Sequence, residues 1–246
     1  MPYDELDPAR ILETIAALER RVEERFPGSG LGRVTAELRR LAEDVEATMA
    51  RLRRPIWPLR IGAALGIAAV LAIALGLVVY GLRVLIRVDD AAVLIPTLES
   101  AVNEVILLSL AIFSLLSLET RAKRRRALAA LHRLRSVVHI VDMHQLTKDP
   151  EQVLSPERTT ASSPARTLTR FELARYLDYC SELLSLTAKL AALHVQVLND
   201  PVVLGAVNDV EALAASLAGK IWQKIMILDL VAVGPGRGTA EVPPAA

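Results

Sequence analysis

Residues 61–82 constrain the fold more than any other feature of this chain, because none of these 22 residues is charged. As an α-helix the stretch would rise about 33 Å, enough to cross a hydrocarbon core about 30 Å thick. The chain is 52% hydrophobic with mean hydropathy +0.36, yet 23% of its residues are charged, so the two classes are segregated along it. These observations predict a transmembrane helix over residues 60–82.

A second apolar stretch, residues 105–118, is also uncharged but is shorter than the ~20 residues that a membrane span needs. Extending it back to Pro96, a residue suited to the first helical turn, gives a predicted span over residues 96–118. The link, residues 83–95, would extend the first helix or lie in the membrane interface. Together the two spans, within residues 56–119, predict a transmembrane hairpin.

The basic residues around these spans predict the orientation of the hairpin. Basic side chains concentrate before the first span and after the second, whereas the link carries two arginines balanced by two aspartates. They are Arg51, Arg53, Arg54 and Arg60, then Arg121, Lys123, Arg124, Arg125 and Arg126, and in the link Arg83, Arg87, Asp89 and Asp90. The positive-inside rule then places both termini in the cytoplasm. We expect a multi-pass protein of a bacterial inner (plasma) membrane with the lipid bilayer as its partner.

Small residues recur along the first span. Gly62 and Gly66 form a GxxxG motif, and a further set recurs every four residues: Ala64, Ala68, Ala72 and Gly76. Small residues at such spacings let helix backbones approach closely. Their partner would be either the second span of the same chain, which is the simpler interpretation, or another subunit.

Three polar residues, Glu99, Asn103 and Glu104, fall in the outer half of the second span. A carboxylate in hydrocarbon is costly unless it is protonated, paired or hydrated, so these residues are candidates for function. In a homo-oligomer, the helix side that carries Asn103 and Glu104 could line an ion pathway. In the simpler interpretation, Glu104 lies near the outer headgroups and pairs with Arg83 or Arg87.

Residues 1–55 predict an N-terminal cytosolic helical hairpin. Asp7-Pro8 suits a helix start, and a Gly-rich turn at residues 27–30 separates two segments with apolar residues at steps of three and four. In the first segment these residues are Ile11, Ile15, Leu18 and Val22. This spacing is typical of an antiparallel helix pair or a coiled coil.

Residues 120–232 predict a cytosolic helical bundle. The second span continues through the basic residues to about residue 146, and two further helices cover about 168–198 and 202–230. The stripe predicted to be buried on the last helix is Val207, Val210, Ala214, Leu217, Ile221 and Leu228. Residues 150–167 would form an exposed loop, and residues 233–246 a disordered tail. The fold class is therefore an all-α membrane protein.

The histidines form the one cluster that could bind a metal. His132, His139 and Asp142 share a helix flank, and His194 on the following helix could reach the same layer. No HExxH or CxxC motif is present, so we predict no metal and no cofactor, with these four residues as weak candidates. The single cysteine, Cys180, lies on an apolar stripe and is predicted to be structural.

No catalytic motif is present, so we expect a non-enzymatic protein. The heptad-like stripes predict that its cytosolic helices associate with further copies, as a homo-oligomer, or with a cytosolic partner protein. A net charge of +1 and an aromatic content of 4% do not indicate nucleic-acid binding. The alternative is a homo-oligomeric ion channel or transporter subunit that uses Glu104 and Asn103.

Overall fold

The computed structural model of this chain describes residues 5–85, 94–150 and 168–233, and in these ranges it is all-helical. The helices are α1 (Pro8–Arg25), α2 (Gly30–Arg53), α3 (Trp57–Leu85), α4 (Leu94–Leu116), α5 (Leu118–Leu146), α6 (Arg170–Val197) and α7 (Pro201–Val233). The prediction of an all-α chain is thus confirmed. Most of the predicted link (83–95), nearly all of the predicted loop (150–167) and the predicted tail from residue 234 lie outside the described residues.

The helices fall into two compact units. The helical unit contains the described residues of 1–51 and 127–246, and the apolar unit contains the described residues of 52–126. The N-terminal hairpin and the C-terminal bundle, which the sequence treats as separate segments, therefore contribute helices to one unit.

Helix starts in the helical unit follow local sequence signals. Asp7 caps α1 by accepting a hydrogen bond from the Ala9 N–H at 2.9 Å, and Pro8 occupies the first turn. Thr169 and Glu172 form a reciprocal capping box at the start of α6. Between α1 and α2, Gly28 has a φ of 65°, a conformation that favours glycine.

The core of the helical unit consists of apolar stripes from its helices. All four predicted residues of α1 are buried, as are the six predicted residues of α7. The α6 helix packs along α7 and also contacts α1. Because the stripes face one another, each helix shields the apolar face of its neighbours from water.

Polar and aromatic contacts join α1 to α6. Arg21 donates two hydrogen bonds to the Glu182 carboxylate, at 2.6 and 3.2 Å. Phe26, directly after α1, meets the rings of Tyr176 and Tyr179 edge to face, with centroids 5.4 and 6.2 Å apart. These residues are distant in sequence, so they fix the N-terminal arm against the C-terminal helices.

Further charged pairs join the remaining helices of this unit. Arg39 of α2 bonds to Glu19 of α1 at 3.2 Å, and Arg133 of α5 bonds to Asp44 of α2 at 3.1 Å. These exposed pairs each contribute little stability, but they are consistent with the packing of the apolar stripes.

In the apolar unit, α3 and α4 pack against each other. The α4 helix ends at Leu116 and α5 begins at Leu118. Helix-type hydrogen bonds nevertheless pass through Ser117, whose N–H donates to Phe113 and whose carbonyl accepts from Arg121. The predicted continuation of the second span into the next helix is therefore interrupted at a single residue.

Three helical stretches of the described chain are long and apolar enough to cross a membrane: Gly30–Arg83, Glu99–Leu116 and Pro201–Leu230. The first contains the predicted span 60–82 and the second lies within the predicted span 96–118, and the most apolar window of each contains no buried residue. The third lies in α7, where 28% of the window is buried, so it differs from the others in packing against protein. The sequence pattern of α7 predicts a bundle helix and not a membrane span.

Candidate functional site

A cluster of charged residues lies in the apolar unit where α3 and α5 begin. Glu119, in the first turn of α5, accepts hydrogen bonds from Arg60 Nε at 2.6 Å and from the Ile56 N–H at 3.3 Å. Lys123 lies one turn later on α5, and its Nζ is 3.0 Å from Oε1 of Glu119, whereas Arg60 contacts Oε2. The hydrogen bond from Arg60, followed by that from Lys123, lowers the pKa of Glu119 to about 2.

Glu119 therefore carries a fixed negative charge that joins the two basic flanks. Its side chain is 17% exposed and that of Lys123 is 14% exposed, whereas Arg60 is 54% exposed. From the sequence, Arg60 and Lys123 indicate only the orientation of the hairpin, and Glu119 is not predicted as a functional residue. The available signal was that Glu119 is the only acidic residue in segments 52–60 and 117–126.

The three polar residues predicted to lie within the membrane do not share one environment. Glu104 is half-buried, and its Oε1 is buried without a hydrogen-bond partner in the described part of the chain. Asn103 and Glu99 are exposed. Glu104 forms no ion pair with Arg83 in the described structure, and the other predicted partner, Arg87, lies outside the described residues.

Glu104 lies on the side of α4 that faces α3. The half-buried residues Glu104, Leu108, Ile112 and Leu115 follow one another at steps of three or four, and so share a helix face. Leu115 on this face is the close neighbour of Gly66 in α3. A side chain in this position points between the two helices.

The small residues of α3 are divided between two faces. A Cβ on Gly66 would lie 3.1 Å from the Leu115 side chain, so close packing on α4 depends on this glycine. Among the residues that the structure describes, nothing lies within 4 Å of the corresponding position at Gly62 or Gly76. The repeated set Ala64, Ala68, Ala72 and Gly76 is exposed, so it does not form the contact with α4.

The histidine residues do not converge. No group of three or more His, Cys, Asp or Glu side chains within ranges 5–85, 94–150 and 168–233 could hold a metal ion. His132 and His139 are exposed, and Asp142 accepts a hydrogen bond from Gln145 at 2.6 Å. His194 is fully buried, with Nδ1 3.1 Å from the Leu190 carbonyl oxygen.

The burial of His194 has an electrostatic consequence. Its Nε2 is buried without a hydrogen-bond partner in the described structure. Burial lowers the pKa of the imidazole, although its contacts with the Leu190 and Ala191 carbonyls act in the opposite direction. The sequence predicts His194 near a possible metal layer as a weak candidate, whereas the structure places it in the protein core.

Cys180 is also fully buried, and burial raises the pKa of its thiol to about 12. A thiol with this pKa is almost entirely protonated near neutral pH and is a poor nucleophile. This burial agrees with the prediction of a structural cysteine.

Lys224 of α7 caps the end of α5. Its Nζ donates to the Gln145 carbonyl oxygen at 2.8 Å and to the buried Gln145 Oε1 at 2.7 Å. A cation at a helix C-terminus satisfies carbonyl groups that have no partner within the helix and interacts favourably with the helix dipole. We assign it a structural role.

The described surface of the helical unit includes two open depressions. One, of about 500 Å³, is lined by Arg21, Glu24, Arg25, Glu172 and Tyr179, and so carries charges of both signs. The other, of about 440 Å³, is lined mainly by small residues of α6 and α7. Neither contains an arrangement of nucleophile, base and oxyanion donors. Comparisons with protein-family models, curated proteins and solved structures give no match for this chain.

Proposed function

We propose that this chain is a non-enzymatic membrane scaffold. In this proposal α3 and α4 form a transmembrane hairpin with both termini in the cytoplasm, and the helical unit associates with further copies of itself. The observation that carries the proposal is the contrast in burial between the two units. Large apolar residues of α3 and α4 are exposed, whereas those of the helical unit form a core.

The exposed apolar surface of α3 and α4 would be unfavourable in contact with water. Soluble proteins rarely expose contiguous apolar patches of more than a few hundred Å². The residues concerned include Leu65, Leu71, Ile73, Leu75 and Tyr80 on α3 and Val105, Ile106, Leu107, Leu110 and Phe113 on α4. A hydrocarbon core would solvate them and would leave the polar backbone satisfied within each helix.

Two contacts support a hairpin arrangement. Arg60 of α3 pairs with Glu119, and Gly66, further along α3, meets Leu115, which precedes Glu119 in sequence. Residue numbers thus rise along α3 as they fall along the opposing segment, which is the pattern of an antiparallel pair. The first span would then begin on the same side of the membrane as the side on which the second span ends.

Orientation can be tested with the chemistry of the single cysteine. Because Cys180 is buried and its thiol is protonated, it contributes little background to labelling by a maleimide. We expect a cysteine introduced at Glu5 to react with a membrane-impermeant maleimide only after cell permeabilisation, and one at Arg83 to react in intact cells. The reverse pattern would place the termini outside.

The outer face of α7 offers a surface for self-association. Its exposed residues include Gly205, Ala212 and Gly219 at intervals of seven, followed by Trp222 and Met226. Small residues at heptad spacing allow another helix to approach closely, and aromatic and methionine side chains are enriched in interface cores. One exposed charged residue, Asp209, lies beside this line between Gly205 and Ala212, and the segment from Ala212 to Met226 on the line is uncharged.

Gly219→Glu tests this surface without disturbing the monomer, because nothing lies within 4 Å of the Gly219 Cβ position in the described structure. We expect native mass spectrometry of nanodisc samples to show an oligomer for the wild type and a monomer for Gly219→Glu. The matched control is Lys220→Glu, about 100° around the helix, which should remain oligomeric. A monomeric wild type would refute self-association.

A second candidate function, an ion channel, is favoured by one observation: Glu104 Oε1 is buried without a partner in the described structure. In an oligomer, rearrangement of α3 and α4 could expose this carboxylate to ions. Under the channel hypothesis Glu104→Gln would alter ion flux into liposomes, whereas a scaffold would assemble unchanged. Wild-type protein that passes no ions at any pH or voltage would eliminate this alternative.

A further inference from the structure

The basic residues beside α3 and α5 are unusually concentrated. Segments 52–60 and 117–126 contain eight Lys or Arg residues and one Glu, giving a net charge of +7 in a chain whose total is +1. We refer to these eight residues as the basic cluster: Arg53, Arg54, Arg60, Arg121, Lys123, Arg124, Arg125 and Arg126. Like charges at this density repel one another unless anions approach them.

The single acidic residue in these segments leaves most of the basic cluster unneutralised. The two oxygens of Glu119 are already engaged by Arg60, Lys123 and the Ile56 N–H. Five arginines are exposed and form no ion pair in the described part of the chain: Arg53, Arg54, Arg121, Arg125 and Arg126. Glu119 thus holds the two basic flanks together while their outer guanidinium groups remain available to a ligand.

We infer that the basic cluster binds the phosphate groups of anionic phospholipids in preference to zwitterionic lipids. This inference rests on the proposed insertion of α3 and α4 into a membrane. The planar guanidinium group matches phosphate oxygens in bidentate geometry, and arginine beside a membrane span is placed at headgroup depth. The basic pair Arg60 and Lys123 remains tied to Glu119, so the exposed arginines supply the specificity.

Trp57 strengthens the choice of a lipid over other polyanions. It lies between Arg54 and Arg60 in sequence and is 64% exposed. Tryptophan is enriched at the membrane interface because its ring is apolar and its N–H is polar. Binding of single-stranded nucleic acid, in contrast, uses several aromatic rings for stacking, and segments 52–60 and 117–126 contain no aromatic residue besides Trp57.

Fluorescence of Trp57 provides a direct test. The chain has two tryptophans, so Trp222→Phe leaves Trp57 as the only reporter. The protein is placed in nanodiscs that contain about one-fifth of either brominated phosphatidylglycerol or brominated phosphatidylcholine, the remainder being unbrominated lipid. We expect about two- to threefold stronger quenching by the anionic lipid, because each basic residue near the surface favours anionic lipid several-fold.

A double variant links the effect to the basic cluster. Arg53→Gln with Arg121→Gln removes one exposed arginine from each flank and should bring the quenching ratio toward one. The matched control is Arg20→Gln with Arg135→Gln, two exposed arginines of the helical unit without an ion pair in the described structure, which should leave the ratio unchanged. Both faces of a nanodisc are equivalent, so an altered insertion direction cannot produce the difference.

The outcomes separate this inference from the proposed function. Equal quenching of Trp57 by both brominated lipids would mean that the protein inserts but does not select anionic lipid, which would overturn the inference alone. Absence of quenching by either lipid would contradict membrane insertion and with it the inference. Displacement of the phosphatidylglycerol signal by a short DNA duplex near physiological salt would identify a nucleic acid as the preferred ligand and would also overturn it.

Discussion

Phe26→Ala tests whether the N-terminal arm and the C-terminal helices form one cooperative unit. Phe26 is 8% exposed, and its ring lies between Tyr176 and Tyr179 of α6. Truncation of a buried phenylalanine costs about 3–5 kcal/mol, and the two edge-to-face contacts are part of this cost. Because Phe26 lies at the end of α1, we expect the free energy of unfolding to fall by an amount near the lower end of this range, about 3–4 kcal/mol.

Phe171→Ala is the matched control, since it removes the same side chain from the same helix pair at an exposed site. Phe171 is 61% exposed, with the guanidinium carbons of Arg25 and Arg175 at 5.4 and 5.9 Å from its ring. Exposed cation–π contacts contribute about 0.5–1 kcal/mol, so we expect this control to lose about 1 kcal/mol. The loss in the free energy of unfolding should therefore be about three times larger for Phe26→Ala than for Phe171→Ala.

The reactivity of Cys180 measures this difference. The thiol is the only one in the chain and is fully buried, so pulse labelling in urea reports the opening of the core. With a denaturant slope of about 2 kcal/mol/M, Phe26→Ala should shift the labelling midpoint down by about 1.5–2 M and Phe171→Ala by about 0.5 M. An unchanged midpoint in Phe26→Ala would show that the arm opens independently, and would refute the single unit.

Two further predictions concern the core of the helical unit. Since the pKa of His194 is lowered by burial, the unfolded chain binds its proton more tightly, and stability should fall as pH drops below about 6.5, by at most ~1.4 kcal/mol per pH unit. His194→Met should reduce this slope in urea titrations at pH 5–7, and an identical slope in both proteins would contradict the assignment. Gly30→Ala should cost about 1–3 kcal/mol, because its Cβ would collide with the His144 ring. Thermal unfolding of Gly30→Ala beside the wild type checks this cost, and an unchanged midpoint would contradict the collision.

The buried faces of the helices could be predicted from the sequence because burial follows apolar spacing. Ile11, Ile15, Leu18 and Val22 of α1 are all buried, as their steps of four, three and four predict. The all-helical fold and the two apolar stretches of the predicted spans also follow from local patterns. Each of these predictions depends only on residues within one helix.

The partner of each face could not be predicted, because periodicity identifies a face and not what covers it. Arg21 pairs with Glu182, 161 residues away, and Glu119 pairs with Arg60, 59 residues away. For Arg21 and Glu182 no local pattern marks the pair, and for Glu119 the sequence shows only an isolated acidic residue among basic ones, without its partner. This limitation explains why the grouping of the N-terminal and C-terminal helices and the role of Glu119 emerged only from the structure.

The small residues of α3 illustrate the same limitation. The GxxxG pair and the four-residue repeat are visible in the sequence, but the described half-buried residues of α3 are Leu59, Ala63, Gly66, Ile67, Val70, Ala74 and Gly81. Of the six small residues predicted to pack, only Gly66, from the GxxxG pair, is half-buried. Alanine and glycine are frequent throughout this helix, so their spacing alone could not identify the contact with α4.

Glu104 separates the proposed scaffold from the channel alternative. Its Oε1 is buried without a partner in the described structure, and burial of such a group costs several kcal/mol. A hairpin that serves only as an anchor would therefore gain stability from Glu104→Leu, by about 1–3 kcal/mol. Glu99→Leu, at an exposed position of the same helix, should have a much smaller effect.

Thermal unfolding in detergent, followed as loss of the monodisperse fraction, compares these two variants. If the hairpin serves only as an anchor, the midpoint of thermal unfolding should rise for Glu104→Leu, and assembly should be unchanged. Lower stability of Glu104→Leu would mean that the carboxylate makes a favourable interaction in the assembled protein, with water, an ion or another chain. Since Asn103 and Glu99 are exposed and do not share the α3-facing position of Glu104, such an interaction would have to reach the space between the two helices. That result would favour the channel alternative, because a hydrated carboxylate between α3 and α4 does not stabilise a hairpin that serves only as an anchor.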